Sequence, residues 1–307
     1  MPADLAPDRV RRQAEAILGR TGEWRLASST NSRVWRVTTG SGAMSVKLLT
    51  DASSDVHVER RLLRELGPGN ARPILEVADM GEGEQLVVAP YLDGELVADR
   101  LQREAVPDGL GRELAGQYRT ILAEVSRLPL RSPGYGRFGS GHQAEHERWS
   151  DALGAYLEEQ RRKGPRTSAL RHPALADALR RLADRLDAEC GPPRVIPTDV
   201  NSRNFLIAEP GRKLVALNFP VIWQGDPAMP FGILQLHLDD TPMAAALAEG
   251  TWPRWRIHFY AAYHAFVICV YVERFTRVPL EEATPWGRRR PLLGLFDTHL
   301  RLMEEAL

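Results

Sequence analysis

The stretch VIPTDVNSRNFLIAEPGRKLVALNF, residues 195–219, decides the fold. Its two short apolar segments, NFLI and KLVAL, flank an EPG turn, and a polar loop precedes the first of them. This pattern predicts a β-hairpin. Asp199, Asn201 and Asn204 stand before or at the start of the first strand, and Asn218 follows the second. Because the ends of a rigid hairpin lie close together, we expect the hairpin to aim these four side chains into one cleft.

The segments around this hairpin divide the chain into two parts. Residues 24–49 alternate apolar and polar side chains between Gly and Ser turns, which predicts an antiparallel meander. One amphipathic helix and a second hairpin follow, and beyond Gly94 the periodicity is helical except at residues 194–221. The sequence therefore predicts an α+β protein with a small antiparallel-sheet N-terminal lobe, residues 1–91, and a mostly helical C-terminal lobe, residues 92–307.

Charge and cysteine usage exclude several classes of protein. The 307 residues include 40 basic and 40 acidic side chains, so the chain lacks the excess positive charge that holds nucleic acid or an anionic membrane. Its cysteines, Cys190 and Cys269, lie far apart, which excludes a disulfide framework and suits a reducing compartment. The longest apolar stretch, residues 257–271, is too short to span a membrane and is expected to form a buried helix. We therefore expect a cytoplasmic protein without nucleic-acid or membrane partners, and the oligomeric state stays open.

One lysine occupies an unusual position. The chain has three lysines among its 40 basic residues, and Lys47 lies inside an apolar strand. A strand-embedded ammonium needs an anion, either a carboxylate or a ligand phosphate. Glu59 in the following helix is the candidate carboxylate, and Glu65 on the same helix is the alternative. Together with Asp199 and with Asn204 five positions later, these residues match the layout of a protein kinase.

The motifs along the chain resemble the aminoglycoside-phosphotransferase and choline-kinase-like branch of the protein-kinase-like fold. In that family a catalytic loop similar to H-G-D-x-x-x-x-N precedes a hairpin whose second strand ends in I-D-[FW], and G-D-P follows. Here the corresponding stretches read PTDVNSRN, VALNFP and QGDP. SSTNSRVWRV resembles the family's phosphate-covering loop, MSVKLL its lysine strand, and LVVAPYLDG its hinge. The resemblance implies two lobes with a nucleotide cleft between them.

The resemblance also implies an activity, an ATP-dependent transfer of phosphate to a hydroxyl of a small molecule such as an antibiotic, a sugar or a nucleoside-like metabolite. It places Lys47 at the nucleotide phosphates with Glu59 as its ion-pair partner, and Asp199 at the acceptor hydroxyl as the catalytic residue. Asn204 and Asn218 would hold Mg²⁺. The remaining implied nucleotide contacts lie in the covering loop and the hinge: Asn31, Ser32, Ala89 and Tyr91.

Several site positions depart from the family pattern. Asn218 replaces the metal-binding aspartate, Pro197 the histidine before the catalytic aspartate, and Pro220 an acidic residue. A neutral amide offers a hard cation one oxygen and no charge, so we expect weakened Mg²⁺ binding. A second interpretation therefore stays open, in which a degenerate kinase-fold protein binds a nucleotide or small molecule without phosphoryl transfer, or serves other chemistry.

Two further sequence motifs lie close together in the predicted C-terminal lobe, between residues 134 and 146. The run GYGRFG, residues 134–139, fits G-x-G-x-x-G but follows no predicted strand, so a dinucleotide site is not expected. HQAEH, residues 142–146, fits a metallopeptidase helix but needs a distant third ligand, and ordinary surface residues are the favoured interpretation. In the resembling family this region shapes the acceptor pocket, so Tyr135, Phe138 and Trp149 are expected to line it.

Overall fold

The chain before residue 91 forms an antiparallel sheet with two helices. The structure is a computed structural model and describes residues 6–29, 32–50, 55–103, 106–139, 141–209, 212–250, 252–285 and 289–307. The elements of the first part are α1 (Asp8–Leu18), β1 (Thr21–Ser29), β2 (Arg33–Thr39), β3 (Gly42–Leu49), α2 (Val56–Leu66), β4 (Glu76–Gly81) and β5 (Glu84–Pro90). The strand order is β1-β2-β3-β5-β4, and every neighbouring pair is antiparallel. The predicted meander, helix and second hairpin are confirmed.

Strand β3 separates an apolar core from the side chain of Lys47. Val46 and Leu48 are buried in a cluster with Trp35 of β2 and with Val10 of α1. Successive side chains of a strand point to opposite faces of the sheet. Lys47 therefore points away from α1, toward the face on which α2 and the second part of the chain lie.

Helix α2 begins and ends with ordinary capping signals. The Asp55 carboxylate accepts a hydrogen bond from Val58 N at 3.1 Å, which satisfies a backbone donor at the helix start. Gly67 follows the last residue with a φ of 74°, a conformation in which a side chain is strained. Leu62 and Leu63 bury one stripe of the helix, and Glu59 is buried with them.

The second part of the chain is mostly helical, which confirms the predicted α+β class. Its helices are α3 (Val97–Arg103), α4 (Asp108–Val125), α5 (Trp149–Lys163), α6 (Pro165–Cys190), α7 (Met229–His237), α8 (Pro242–Ala248), α9 (Arg254–Phe275) and α10 (Leu292–Glu305). Its strands are β6 (Gly94–Leu96), β7 (Gly136–Gly139), β8 (His142–Gln143), β9 (Arg194–Pro197), β10 (Phe205–Ala208), β11 (Lys213–Ala216) and β12 (Ile222–Gly225). Strands β10 and β11 are the predicted hairpin, with Phe205 opposite Ala216.

The expectation that only residues 194–221 interrupt the helices is wrong. Strand β6 adds to the hairpin in the order β11-β10-β6, and a further antiparallel sheet has the order β8-β7-β12-β9. Strand β7 reads GRFG, and a four-residue strand with glycine at both ends has too few side chains to show an alternating pattern. Strands β9 and β12 precede and follow the hairpin in sequence and pair with each other. This pairing fixes the start of the loop that carries Asp199, because β9 ends two residues before Asp199.

Two segments singled out by sequence have simple places in this architecture. The apolar stretch at 257–271 belongs to the buried helix α9, and in the described part of the chain no helix is long and apolar enough to cross a membrane. In HQAEH, His142 lies in β8, Ala144 has a φ of 49°, and His146 forms a β-bridge with Tyr135. The run is not helical, so His142 and His146 do not share one face of a helix, as the metallopeptidase pattern requires.

Candidate active site

The Asp199 loop is held by its own amides and by the strand beside it. Thr198 N donates to Val221 O at 3.0 Å, which continues the β9–β12 pairing up to the loop. Asn201 Oδ1 accepts from Arg203 N at 2.9 Å and caps a short 3₁₀ turn, residues 202–204. Asn201 Nδ2 donates to the carboxylate of Asp199. The half-buried Asp199 is therefore oriented by a neighbour two residues away.

A continuous run of side-chain hydrogen bonds joins strand β3 to this loop. Lys47 Nζ donates to Asn218 Oδ1 at 3.4 Å, Asn218 Nδ2 donates to Asn204 Oδ1 at 3.1 Å, and Asn204 Nδ2 donates to Asp199 O at 2.7 Å. Lys47 and Asn218 are 171 residues apart in sequence. The structure thus brings four sequence-predicted residues into one cluster, which we call the amide relay: Lys47, Asn218, Asn204 and Asp199.

Glu59 joins the cluster through the backbone. Its Oε1 accepts a hydrogen bond from Phe219 N at 2.7 Å, and its side chain is buried. Among the described residues no nitrogen-to-oxygen distance under 4 Å joins Lys47 to Glu59, so the implied ion pair acts across the cluster without direct contact. The alternative carboxylate, Glu65, instead pairs with Arg61 at 2.6 Å on the outer side of α2.

Burial opposes ionisation throughout this cluster. It lowers the pKa of Lys47, and the opposite charges of Glu59 and Asp199 partly offset that shift. It raises the pKa of Glu59, with Lys47 acting in the other direction. Burial also raises the pKa of Asp199, against the hydrogen bond from Asn201. Clustered ionisable groups whose pKa values are shifted by burial and by specific charge partners are typical of functional sites.

A second cation lies in the cluster that sequence reasoning missed. The backbone N of Arg72 donates to Ala216 O at 2.8 Å, and its Nη2 reaches Leu217 O at 3.5 Å. Burial lowers the pKa of Arg72, while the charge of Glu59 raises it. Arginine supplies nearly all the basic residues of this chain, so one more arginine drew no attention. The one signal in the sequence that could have identified Arg72 was its position directly before Pro73 and the second predicted hairpin.

The described residues predicted for the covering loop and the hinge lie at two separate places in the N-terminal sheet. Ser32 is half-buried in the turn between β1 and β2, and Asn31 falls outside the described residues. Ala89 is buried in β5, and Tyr91 follows that strand, where its N donates to Ala43 O at 3.0 Å. Ala89 and Tyr91 therefore mark the point at which the chain leaves the sheet.

The oxygens of the amide relay decide how well Mg²⁺ would fit. Within the described ranges no group of three His, Cys, Asp or Glu side chains is placed to hold a metal ion. Asn204 Oδ1 and Asn218 Oδ1 each accept a hydrogen bond from the protein, and Asp199 adds a carboxylate. Mg²⁺ takes oxygen ligands and is commonly held by one or two carboxylates together with substrate phosphates. This donor set fits a Mg²⁺ ion that the nucleotide holds in large part.

The carboxylate of the G-D-P motif is committed elsewhere. Asp226 Oδ2 accepts from Arg256 Nε at 2.6 Å and from the hydroxyl of Tyr260, and its Oδ1 accepts from Ala228 N at 2.8 Å. A Cβ atom on the preceding Gly225 would lie 2.4 Å from a ring atom of Trp149. Both oxygens of Asp226 are therefore engaged, by side chains of helix α9 and by the backbone of Ala228, so this carboxylate is not free to supply the negative charge that Asn218 lacks.

The aromatic residues expected in the acceptor pocket serve different purposes. Trp149 is fully buried, and its Nε1 donates to Tyr260 Oη at 2.7 Å, so the expectation that it lines a pocket is wrong. Tyr135 Oη donates to Gly191 O at 2.6 Å. Phe138 lines a shallow groove between its sheet and Leu62 of α2.

Comparison with known proteins gives a consistent result. The phosphotransferase enzyme family (APH) matches residues 23–264, and no significant match was found among curated proteins. Similar solved structures include aminoglycoside phosphotransferase APH(4)-Ia, with 14% identity and a TM-score of 0.67 over 96% of this chain and 98% of that one. A putative fructosamine-3-kinase from Haemophilus somnus has 11% identity and a TM-score of 0.59 over 92% of each chain. The GDP complex of aminoglycoside 2'-phosphotransferase-IIIa has 13% identity and a TM-score of 0.60 over 98% of each chain.

At these identities the solved structures establish a shared protein-kinase-like fold. The family match covers most of the chain, from β1 into α9, and contains the whole amide relay. Together with the order of the lysine strand, the helix glutamate and the aspartate loop, it leads to one conclusion: the chain belongs to the phosphotransferase enzyme family.

Proposed function

We propose that the protein is an ATP-dependent phosphotransferase that acts on a hydroxyl group of a small molecule. The observation that carries the proposal is the amide relay, which joins Lys47 through two amides to the backbone carbonyl of the half-buried Asp199. Structures of the similar APH(4)-Ia include a ternary complex with AMP-PNP and hygromycin B, which supports a nucleotide and a small-molecule acceptor here. The nucleotide would lie between the lobes formed by residues 1–91 and 92–307.

The roles follow from charge and position. Lys47 would contact the nucleotide phosphates, and Arg72, whose charge acts on both Lys47 and Glu59, adds a second positive charge to the cluster. The acceptor oxygen attacks the γ-phosphorus, the new P–O bond forms, the bond to the ADP oxygen breaks, and Asp199 takes the hydroxyl proton. Phosphoryl transfer needs alignment and charge neutralisation more than covalent chemistry from the protein. Bound Mg²⁺, held by Asn204 and Asn218, would neutralise phosphate charge.

One observation favours a second candidate function, binding of a nucleotide without phosphoryl transfer. Both amide oxygens that would ligate the metal accept hydrogen bonds from protein donors, and Asn218 lacks the charge of a carboxylate. A protein of this kind would bind nucleotide equally well with and without metal.

Calorimetric titration of ATP, with and without Mg²⁺, separates the two candidates. A phosphotransferase is expected to bind ATP more tightly with Mg²⁺ and to release ADP when a hydroxylated acceptor is added. Asp199→Asn should abolish ADP release while ATP binding persists, and Asp151→Asn, an exposed site on α5, is the matched control. Metal-independent binding without ADP release would contradict the phosphotransferase proposal, and absence of binding would contradict both candidates.

A further inference from the structure

The half-buried Arg72 has a guanidinium group whose hydrogen-bonding capacity is largely unused. Its Nη2 donates to Leu217 O at 3.5 Å, and within the described ranges the guanidinium makes no other hydrogen bond and no ion pair under 4 Å. Its Nε is buried, and no described residue accepts a hydrogen bond from it. An arginine has five N–H donors, so most of those of Arg72 have no partner in the described part of the chain.

Arg256 shows how this chain satisfies a buried guanidinium elsewhere. Its Nε and Nη2 donate to the two carboxylate oxygens of Asp226. Donors that are buried without a partner cost free energy, and in native proteins such a group often serves a ligand, an ion or a water molecule. Because Arg72 also carries a full positive charge, an oxyanion would satisfy it better than the single neutral carbonyl that it contacts.

Contacts to one short segment bring Arg72 and Lys47 together. The backbone N of Arg72 donates to Ala216 O at 2.8 Å, and its guanidinium donates to the next residue, Leu217. The residue after that, Asn218, accepts from Lys47 Nζ at 3.4 Å. Adjacent Cα atoms lie about 3.8 Å apart, so the two cationic groups contact neighbouring residues at the end of strand β11.

The charges of this cluster suit a ligand that brings its own negative charge. Lys47 and Arg72 are cations, Glu59 and Asp199 are carboxylates, and Asn218 is neutral, so the formal charges cancel. In phosphoryl transfer, metal ions usually neutralise the phosphates. The amide of Asn218 offers a metal no charge, whereas a guanidinium beside it would neutralise phosphate charge directly.

We propose that Arg72, together with Lys47, binds the terminal phosphates of the nucleotide, and that the protein therefore binds nucleoside diphosphates and triphosphates in the absence of Mg²⁺. The inference rests on the proposed function, because its ligand is the nucleotide of that reaction. Arginine binds phosphate oxygens in a bidentate manner. Two neighbouring cations match a diphosphate group, which a nucleoside monophosphate lacks. Mg²⁺ strengthens this binding and is not required for it.

Calorimetric titration in EDTA tests the proposal with four probes: AMP, ADP, ATP and inorganic pyrophosphate. We expect ADP and ATP to bind at least about tenfold more tightly than AMP, since a charge-assisted hydrogen bond contributes about ten- to a hundredfold in affinity. Pyrophosphate should bind as well, which separates recognition of the phosphates from recognition of the nucleoside. Raising the salt concentration should weaken binding of ADP more than binding of AMP.

Arg72→Gln should raise the Kd for ADP in EDTA by about ten- to a hundredfold and leave the Kd for AMP unchanged. Arg72→Lys keeps the charge without the fork of donors and should restore part of the affinity. A purely structural role would weaken AMP and ADP alike. Arg64→Gln, at an exposed site on α2, is the matched control. If Arg72→Gln does not fold, Arg72→Lys and the preference of the unaltered protein for ADP over AMP still decide.

The outcomes keep the two proposals apart. Transfer of phosphate to an acceptor, combined with an ADP affinity in EDTA that Arg72→Gln leaves unchanged, would overturn the role of Arg72 and leave the phosphotransferase intact. Binding of ADP or pyrophosphate that depends on Arg72, without ADP release from ATP in the presence of Mg²⁺ and acceptors, would keep that role and refute phosphoryl transfer. Equal affinities for AMP and ADP in EDTA, or no binding of any probe without Mg²⁺, would overturn the inference.

Discussion

Lys47 donates a hydrogen bond to Asn218, at 3.4 Å, across the two parts of the chain. An aspartate at position 218 would form an ion pair with this lysine and would offer a charged ligand to Mg²⁺. The amide does neither, yet its two polar atoms complete the connection from Lys47 to Asn204. Asparagine at position 218 therefore completes the hydrogen-bonded connection between the two parts of the chain without placing a negative charge beside Lys47.

Asn218→Asp should restore that charge. We expect the affinity for ATP in the presence of Mg²⁺ to increase about tenfold, because carboxylate ligands strengthen binding of hard cations. Titration calorimetry at several Mg²⁺ concentrations measures the effect. Asn218→Ala removes the amide without adding charge and should weaken Mg²⁺ dependence further. Equal Mg²⁺ dependence in all three proteins would show that position 218 does not ligate the metal.

The pH dependence of turnover should report the shifted pKa of Asp199. A base must be deprotonated, so activity declines as the pH falls through its pKa, and the raised pKa of Asp199 moves this decline above the usual range near 3.9. Asn201 donates to the carboxylate and holds its pKa down. In Asn201→Ala the acid limb of kcat/KM should therefore move to higher pH. A limb that stays in place would assign the titration to another group.

The buried pair of Asp226 and Arg256 should carry much of the stability of the second part of the chain. Asp226 is fully buried and the Arg256 side chain is 3% exposed. Asp226→Ala leaves the guanidinium buried and uncompensated, which costs about 3–5 kcal/mol in free energy of unfolding. Chemical denaturation measures this loss. Glu305→Ala at the exposed pair with Arg301 should cost less than about 1 kcal/mol, and similar losses in both variants would contradict the prediction.

Two buried histidines should make the protein sensitive to mild acid. His258 Nδ1 and His299 Nδ1 lie 3.1 Å apart between α9 and α10, and burial lowers their pKa values to about 4 and about 3. The unfolded chain takes up these protons near pH 6.5 and the folded chain does not, so stability falls as the pH drops below 6.5.

Replacing one of these histidines should reduce that sensitivity. In His299→Phe the loss of unfolding free energy between pH 7 and pH 5 should shrink by about 2 kcal/mol, measured by urea denaturation at both pH values. His142→Phe, at an exposed position in β8, is the control. An unchanged pH dependence in His299→Phe would show that the pair does not drive the acid sensitivity.

The elements that sequence could predict are those with local signals. Alternating side chains identified β3, and the EPG turn identified the β10–β11 hairpin with its polar ends. The same alternation places Lys47 opposite the core face that holds Val46. The order of the motifs was sufficient to predict the family. Both that order and the spacing between Asp199 and Asn204 can be read from the sequence without knowledge of any tertiary contact.

Other features depend on contacts between segments far apart in the chain. Strand β7 is too short to show a periodic pattern, and it becomes a strand because β12, more than 80 residues later, pairs with it. The same pairing brings Arg137 and Trp223 together, and helix α5 then adds Tyr156.

The sequence by itself determined the α+β class, the hairpin and the residue types at the candidate site. Only the tertiary structure decided which partners those residues have: Asn218 and not Glu59 contacts Lys47, and Asp226 supports helix α9. The reason is physical. Periodicity records which face of a helix or strand is buried, whereas a hydrogen-bond partner is selected by packing among segments that the chain brings together only when it folds.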